Sequence, residues 1–549
     1  MSDVAARVAP SSPFASRARD AGRTGRGRNR PSVAGTLLFV LMLAGGLGYA
    51  TWGLVSDMHE TGAPPLAIGT LVMLGLALLI ALGFEFVNGF HDTANAVATV
   101  IYTHSLRPMV AVVWSGCFNF LGVLLSTGAV AYSIITLLPI DLILSAGSQG
   151  GYAMIFALLL AAIIWNLLTW AVGIPNSSSH ALIGSILGVG LANQLLTPRD
   201  QPQSGVQWDQ ALKVLESLLF SPIVGFLAAG GLLLLAKTLV RRPELWRAPE
   251  GDRPPPLWIR ALLILTCTGV SFSHGGNDGQ KGMGLIMLIL IGAAPTAFAL
   301  NRAIPDSATP AFIQSTHEAS AIFALHADGT PAISAARARG IVDRAIKEKR
   351  LDQPASYAAL SSLSDDIGRQ IQSYGAIRRV PAEAVSNVRN DMYLAAEAVR
   401  LLPREGAHFT AGESDTLKRY AGQLNHGTRF IPVWVKVSVA IALGLGTMVG
   451  WKRIVVTVGE RIGKTHLTYG QGASAELVAA ATIGLAELYG LPVSTTHILS
   501  SGVAGTMAAN GSGLQRRTLR NLALAWILTL PVAITLAGLL YWLLHALFF

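Results

Sequence analysis

Long apolar stretches separated by short polar connections run through most of this chain of 549 residues. A helix that crosses a bilayer needs about 20 apolar residues, and stretches of that length recur along the sequence. Only 13% of the residues are charged and 52% are hydrophobic, whereas soluble domains carry about 25% charged residues. A soluble fold could not keep so apolar a surface in water. The sequence therefore predicts an all-α, polytopic membrane protein with about ten to twelve membrane elements.

The charged residues are concentrated in two segments, and these segments define the predicted domains. The first 30 residues hold seven Arg and two Asp, and residues 302–429 hold 16 basic and 14 acidic groups. A basic, low-complexity tail beside an apolar helix is typical of a cytoplasmic N-terminus. We predict a basic disordered tail (1–33), an extra N-terminal transmembrane helix (34–56), a first membrane half with the start of a second repeat (66–300), a soluble helical insertion (301–430) and the rest of the second repeat (431–549).

Composition and motifs exclude several classes of protein. The chain has two cysteines, Cys117 and Cys267, both in apolar stretches, which excludes a disulfide scaffold and a thiolate metal cluster. The basic tail lacks interleaved aromatic residues, so we predict no nucleic-acid partner. The chain shows no HExxH-type motif and no phosphate-binding P-loop, and its serine clusters have no adjacent base. We therefore predict that the protein is not an enzyme and has no tightly bound cofactor.

Two similar acidic segments lie within the apolar sequence, at 86–92 and 272–278. Each segment contains glycine and ends in an aspartate, Asp92 or Asp278. Irregular backbone inside a bilayer must line a cavity or bind something, and ionisable groups at that depth are usually functional. We interpret both segments as interruptions of membrane helices. Their carboxylates would repel a bare anion but would hold a cation or take up a proton.

Two hydroxyl turns, at 175–180 and 492–497, follow the acidic segments in the same order. Each has a proline, then Ser or Thr residues, then a histidine that is followed eight positions later by Gly188 or Gly505. Such a turn starts a helix whose first N–H groups and hydroxyls can bind an anion. The repeated order predicts two inverted repeats with re-entrant or half-helices whose starts meet around one anion.

Other ionisable residues lie in or near these segments. His91, His180, His274 and His497 are candidates for proton handling or for interhelical hydrogen bonds. Lys281 matches Asn95 of the first copy, and its ammonium could neutralise Asp278 or contact the anion. Three acidic residues without a counterpart in the other copy are predicted to be structural: Glu85, Glu476 and Glu487.

Residues 88–96, 273–282 and 492–497 resemble the inorganic phosphate transporter (PiT) family, and the similarity looks closest to its bacterial low-affinity, proton-coupled branch. The resemblance extends over nearly all of 66–546. It implies a phosphate–proton symporter, multi-pass in the cell inner (plasma) membrane, that carries phosphate partly as a neutral complex with a divalent metal. It also implies arsenate as a competitor and a possible homodimer.

The resemblance assigns roles to particular residues. It implies phosphate binding by Ser177, Ser178, Ser179, Ser494, Thr495, Thr496, Asn95 and Asn277. It implies coupling to cations or protons by Asp92 and Asp278, which are also candidate ligands of the metal that accompanies phosphate. From the residues themselves we predict a part in the same coupling for His91, Lys281, His180 and His497.

The sequence departs from the family pattern at two positions. His91 stands where many members have the first Asn of the motif, and Lys281 stands where they have the last. An ammonium group would occupy the space of a cation, so a sodium site built from those Asn oxygens is disfavoured and proton coupling is favoured. A sodium-coupled phosphate symporter and a transporter of sulfate or another oxyanion stay open as alternatives.

Overall fold

A computed structural model of the chain describes residues 33–61, 63, 65–138, 149–197, 205–251, 253–331 and 333–548, without the side chains of 93–95, 149, 453, 460 and 548. Nearly all of the predicted basic tail lies outside these residues. Of the described residues, those up to 45 belong to one compact unit and those from 46 onward to another. The described residues form helices and no β-strand, which confirms the all-α prediction.

The helices of the first part of the chain are long and apolar. They are α1 (Val33–Glu60), α2 (Ile68–Tyr102), α3 (Pro108–Leu125), the short α4 (Ala129–Ile135), α5 (Gln149–Ala171), α6 (Ser178–Leu196), α7 (Trp208–Leu239), α8 (Leu257–Ala293) and the short α9 (Pro295–Phe298).

The segment predicted as an insertion contains shorter, more polar helices. They are α10 (Thr309–His326), α11 (Ala335–Glu348), α12 (Pro354–Tyr374), α13 (Ala382–Leu401) and α14 (Ala411–Thr428). The Asn301 backbone N–H donates to the carbonyl of Gly427 at 2.8 Å, so the chain enters and leaves this segment side by side. An insertion with adjacent ends leaves the helices before and after it close enough to pack together.

The chain ends with α15 (Val433–Thr447), α16 (Lys452–Glu460), α17 (Tyr469–Leu488), α18 (Thr495–Ala509) and α19 (Arg516–Phe548). Among the described residues, eight helices are long and apolar enough to cross a membrane: α1, α2, α3, α5, α6, α7, α8 and α19. Helices α14 and α15 also pass this test as a pair bent by 72°. The prediction of a polytopic membrane protein is confirmed.

The interpretation of the acidic segments as helix interruptions is wrong. Residues 86–92 lie inside α2, and residues 272–278 lie inside α8, a continuous helix of 37 residues. Polarity and glycine resemble a break in sequence, but here the polar side chains find partners on neighbouring helices. The glycines allow close helix contact in place of a turn.

The hydroxyl-turn helices show matched packing. A Cβ atom at Gly188 of α6 would lie 2.2 Å from the carbonyl oxygen of Ile534 in α19, and one at Gly505 of α18 would lie 2.1 Å from that of Phe226 in α7. Each copy of the hydroxyl-turn helix therefore packs against the last helix of the other copy. The absence of a side chain at both glycines makes this backbone contact possible.

The helices that contain the acidic segments make the same kind of close glycine contact with a helix of the other copy. A Cβ atom at Gly122 of α3 or at Gly446 of α15 would lie 2.1 Å from a carbonyl oxygen, that of Phe272 in α8 or that of Phe86 in α2. Phe86 and Phe272 occupy the same place in the two acidic segments. The duplication in sequence thus has a counterpart in packing, while the inverted orientation of the repeats stays a prediction.

We expect Gly188→Ala to lower the apparent melting temperature of the purified protein, because the new methyl group overlaps the Ile534 carbonyl. Such overpacking costs about 1–3 kcal/mol. The matched control is Gly231→Ala in α7, where a Cβ meets nothing within 4 Å and the alanine favours the helix by up to about 1 kcal/mol. Equal melting temperatures for the two variants would show that the close contact is not a constraint.

Candidate substrate and cation site

The two hydroxyl turns begin helices, as the sequence predicts. Ser177 and Ser494 are the N-caps of α6 and α18, and their side-chain oxygens accept hydrogen bonds from the backbone N–H of His180 (3.2 Å) and His497 (3.1 Å). The first N–H groups of each helix have no acceptor within that helix, and this end carries a partial positive charge. Both helix starts are buried, so this partial charge lies away from solvent.

Asp92 joins the two helix starts. Its Oδ2 accepts a hydrogen bond from the Ser178 hydroxyl at 3.0 Å, and its Oδ1 accepts one from the Thr496 hydroxyl. Only 2% of Asp92 is exposed. One buried carboxylate therefore binds a hydroxyl donor from each copy of the turn, which brings both turns to a single point.

Lys281 gives the second carboxylate a built-in counterion. Its Nζ lies 2.7 Å from Oδ1 of Asp278 and donates to the Ser179 hydroxyl at 2.5 Å. Ser179 in turn donates to the carbonyl of Val493 in the other hydroxyl turn at 2.8 Å. Lys281 and Asp278 are fully buried. The ammonium thus lies between the acidic segment of the second copy and the helix start of the first.

His274 points its free ring nitrogen at both carboxylates. Its Nε2 lies 3.6 Å from Asp278 and 4.0 Å from Asp92. Its Nδ1 lies 2.8 Å from the amide oxygen of Asn119, whose amide nitrogen donates to Ser115. Because an amide oxygen only accepts, Nδ1 carries the proton and the Nε2 lone pair is left for a ligand.

Asp92, His274 and Asp278 can therefore act as a three-ligand metal site. Each offers one ligand atom, and the three atoms lie within 4.8 Å of one another. Two carboxylate oxygens and one imidazole nitrogen suit a divalent cation. The sequence identified both aspartates as metal candidates but missed His274 and Asn119 in this role. The spacing of four residues between His274 and Asp278, which places them on one helix face, was the available signal.

His91 and Asn277 perform the same task in the two copies. The Nε2 of His91 accepts the backbone N–H of Asn176 at 3.1 Å, and the Oδ1 of Asn277 accepts that of Val493 at 3.5 Å. Asn277 also donates to the carbonyl of Leu491 at 3.1 Å. Both side chains therefore hold the backbone beside the proline of a hydroxyl turn. The side chain of Asn95, also predicted to bind phosphate, lies outside the described residues.

His180 and His497 lie side by side behind the caps. Their ring centroids are 4.5 Å apart, and the His497 ring lies 4.2 Å from that of Trp526. The Nδ1 of His180 is 2.8 Å from the Ser177 hydroxyl. The two rings thus contact each other across the copies, and their predicted part in proton handling stays a prediction.

Of the remaining predicted residues, three are buried and Glu487 is half-buried. Thr495 is the first residue of α18 and is 4% exposed. The carboxylates predicted to be structural each accept a hydrogen bond: Glu85 from Asn88, Glu476 from Thr266 and Glu487 from Gln280.

Comparison with known proteins identifies the family. A model of the phosphate transporter family matches residues 88–537. This chain belongs to the phosphate transporter family. The low-affinity inorganic phosphate transporter PitA of Escherichia coli (strain K12) is 43% identical over 499 residues, 87% of this chain and 98% of its own length. PitB of the same organism is 42% identical over 503 residues, with coverages of 87% and 98%.

A probable low-affinity inorganic phosphate transporter of Bacillus subtilis (strain 168) is 27% identical over 479 residues, 87% of this chain and 99% of its own length. A solved structure of a sodium-dependent phosphate transporter aligns with a TM-score of 0.48 and 20% identity, over 86% of this chain and 99% of that one. The predicted family is confirmed. Because its members are transporters, the prediction that the protein is not an enzyme is confirmed with it. In this phosphate transporter family protein the matched region includes the site residues from Asp92 to Thr496, and α1 lies outside it.

We expect His91→Leu to destabilise this phosphate transporter family protein, since it leaves the buried Asn176 N–H without its acceptor. Such a loss costs about 1–3 kcal/mol. His91→Gln places an amide oxygen near the position of Nε2 and should keep the wild-type melting temperature. Thermal unfolding of the two variants in detergent tests this, and equal destabilisation by both would contradict the acceptor role.

Proposed function

We propose that this protein is a secondary active symporter that moves inorganic phosphate with protons across the membrane, partly as a neutral complex with a divalent metal. The observation that carries the proposal is the Asp92 carboxylate, bound by hydroxyls from both helix starts beside His274 and Asp278. The two E. coli relatives are both known as low-affinity inorganic phosphate transporters, which supports the choice of phosphate.

The anion binds between the two helix starts. A tetrahedral phosphate needs several convergent donors, and the first turns of α6 and α18 supply N–H groups together with the hydroxyls of Ser178, Ser179, Thr495 and Thr496. Helix N-termini bind phosphate through those N–H groups and their partial positive charge. No fixed arginine is required, so the anion can be released again.

The cargo needs a positive partner. A bare dianion would cost tens of kcal/mol to desolvate, and each negative charge moved against a cell-negative potential adds about 2.3 kcal/mol per 100 mV. A divalent cation held by Asp92, His274 and Asp278 would lie beside the anion and cancel its charge. The cation is cargo in this scheme, so its ligands must bind and release it in each cycle.

Neutralisation of Asp92 prepares the anion site. In the present structure the Ser178 and Thr496 hydroxyls donate to this carboxylate. A metal ion or a proton on Asp92 would weaken those hydrogen bonds, and the hydroxyls could then turn to phosphate. Binding of the positive partner is thereby linked to binding of the anion.

Lys281 favours protons over sodium as the coupling ion. Its ammonium already pairs with Asp278 and reaches Ser179, so the negative charge that would attract a sodium ion to this carboxylate is already offset. Asp92, without such a lysine, is the carboxylate available to titrate. We further propose an inner-membrane location with a cytoplasmic N-terminus, arsenate as a competitor and a homodimeric assembly.

We expect Asp92→Asn and Asp278→Asn each to reduce radiolabelled phosphate uptake into proteoliposomes with an imposed pH gradient. A loss of at least about tenfold corresponds to about 1.4 kcal/mol of lost interaction. Asp209→Asn is the matched control, because Asp209 is a surface carboxylate paired with Lys349 at 3.3 Å.

In wild type, a protonophore should abolish this uptake, whereas removal of sodium should leave it unchanged. Normal uptake by both aspartate variants would overturn the site assignment. Sodium-dependent uptake that ignores the protonophore would overturn the coupling ion, and equal inhibition by sulfate and arsenate would favour a general oxyanion carrier.

We expect chelation of divalent cations to suppress uptake and added Mg²⁺ to restore it. His274→Ala removes a proposed ligand and should raise the Mg²⁺ concentration for half-maximal uptake, and Asn119→Leu should do so through the ring orientation, by about 10–100-fold. His317→Gln, which changes an exposed histidine of α10, should match wild type. Uptake that is indifferent to chelator would contradict the metal complex.

A further inference from the structure

Arg389 in α13 is a buried cation that has no carboxylate counterion among the residues that the structure describes. Only 3% of the residue is exposed, and its Nε and Nη1 have no hydrogen-bond partner. Burial lowers the pKa of its guanidinium, and the nearby charge of Arg429 lowers it further. A buried charge without a partner is strongly destabilising, so this position calls for an anion.

Other arginines of the insertion are paired with carboxylates. Arg339 binds both oxygens of Asp391 at 2.5 and 2.7 Å. Arg400, on the same helix as Arg389, donates to Glu397. Arg378 lies 2.6 Å from Asp306. Several arginines of the insertion are thus neutralised by carboxylates, whereas Arg389 is the one fully buried arginine among the described residues and has no carboxylate partner there.

A second arginine and two tyrosines surround this position. The Cζ of Arg389 lies 5.9 Å from the ring centroid of Tyr393, and the Cζ of Arg429 lies 5.6 Å from that of Tyr132 in α4. The Tyr132 hydroxyl donates to the carbonyl of Phe430 at 2.7 Å, which holds the chain next to Arg429. We call Arg389, Arg429, Tyr132 and Tyr393 the arginine junction. It joins α13 and the end of α14 to a helix of the first membrane half.

We propose that the arginine junction is a second anion site of this protein, which binds a phosphate group. Guanidinium groups present planar N–H donors that match phosphate oxygens in a bidentate manner. Two cations can share one phosphate, and the aromatic rings exclude water around it. The phosphate group belongs either to free inorganic phosphate or to a lipid headgroup, since the junction adjoins membrane helices.

Occupancy of this site connects the insertion with the membrane helices. Arg389 and Arg429 lie on the insertion and its exit, whereas Tyr132 lies on α4. The anion relieves the repulsion between the two arginines and so stabilises that contact. The site is separate from Asp92 and Asp278, so it stands or falls independently of the proposed transport function.

The test counts phosphate and lipid on the purified full-length protein. Equilibrium dialysis with radiolabelled inorganic phosphate, after lipid removal, should show about one phosphate per chain fewer in Arg389→Gln than in wild type. Native mass spectrometry of protein extracted from its membrane should show a retained phospholipid if the headgroup is the ligand, and Arg389→Gln should lose it. Arg400→Gln, which removes an arginine already paired with Glu397, should match wild type in both.

A loss of phosphate alone supports the proposal with free phosphate as ligand, and a loss of phospholipid alone supports it with a lipid as ligand. Equal phosphate and equal lipid in wild type and Arg389→Gln overturn it. If Arg389→Gln fails to fold, Arg429→Gln, which removes the other positive charge, takes its place in both assays. Arg389→Lys, which keeps the charge, is then measured beside it. Wild type that binds no phosphate beyond the occupancy lost in Asp92→Asn, and retains no phospholipid, also overturns the proposal.

Discussion

The membrane part of the structure depends on one interaction, the hydrogen bonds that the buried carboxylate of Asp92 accepts from two hydroxyl groups. A charge at this depth is tolerated only with several hydrogen-bond donors. Here the donors are Ser178 and Thr496, which lie at the starts of two helices and are 318 residues apart in the sequence. Helices α6 and α18 must therefore converge. The contacts of Gly188 and Gly505 with the last helices of the opposite copies allow that convergence, because a side chain at either glycine would separate the backbones.

Duplication has produced two carboxylates that are no longer equivalent. His91 and Asn277 differ in chemistry but accept the same backbone N–H in their copies, so this exchange preserves the structure. Lys281 changes the electrostatics, because it places a positive charge against Asp278. Asp92 is left with neutral hydroxyl donors and with His274. Of the two acidic segments, the first is therefore the one whose charge can be altered by a proton or a cation, and this asymmetry gives the proposed symport a defined point of coupling.

The sequence predicted the features that local patterns encode and missed those that depend on distant partners. Proline followed by hydroxyl residues correctly predicted the helix starts at Ser177 and Ser494, because an N-cap is set by neighbouring residues. The acidic segments were interpreted as breaks because a polar, glycine-containing stretch looks the same whether it turns or packs against another helix. The pairing of His274 with Asn119, 155 positions away, and the unpaired state of Arg389 leave no local pattern, since each is defined by which groups lie nearby in space.

On the proposed mechanism, weak binding of the anion would follow from the same hydrogen bonds that organise the site. The Ser178 and Thr496 hydroxyls already have an ionised acceptor in Asp92, and a hydrogen bond to a charged group contributes roughly 1.5–3 kcal/mol. An incoming phosphate gains these donors only when they leave Asp92, so the gain is offset by the loss. A cation or proton that neutralises Asp92 lowers the loss and thereby raises the affinity for phosphate. On the proposed mechanism, modest affinity and dependence on a positive partner therefore have one physical origin, the competition between Asp92 and the substrate for the same donors.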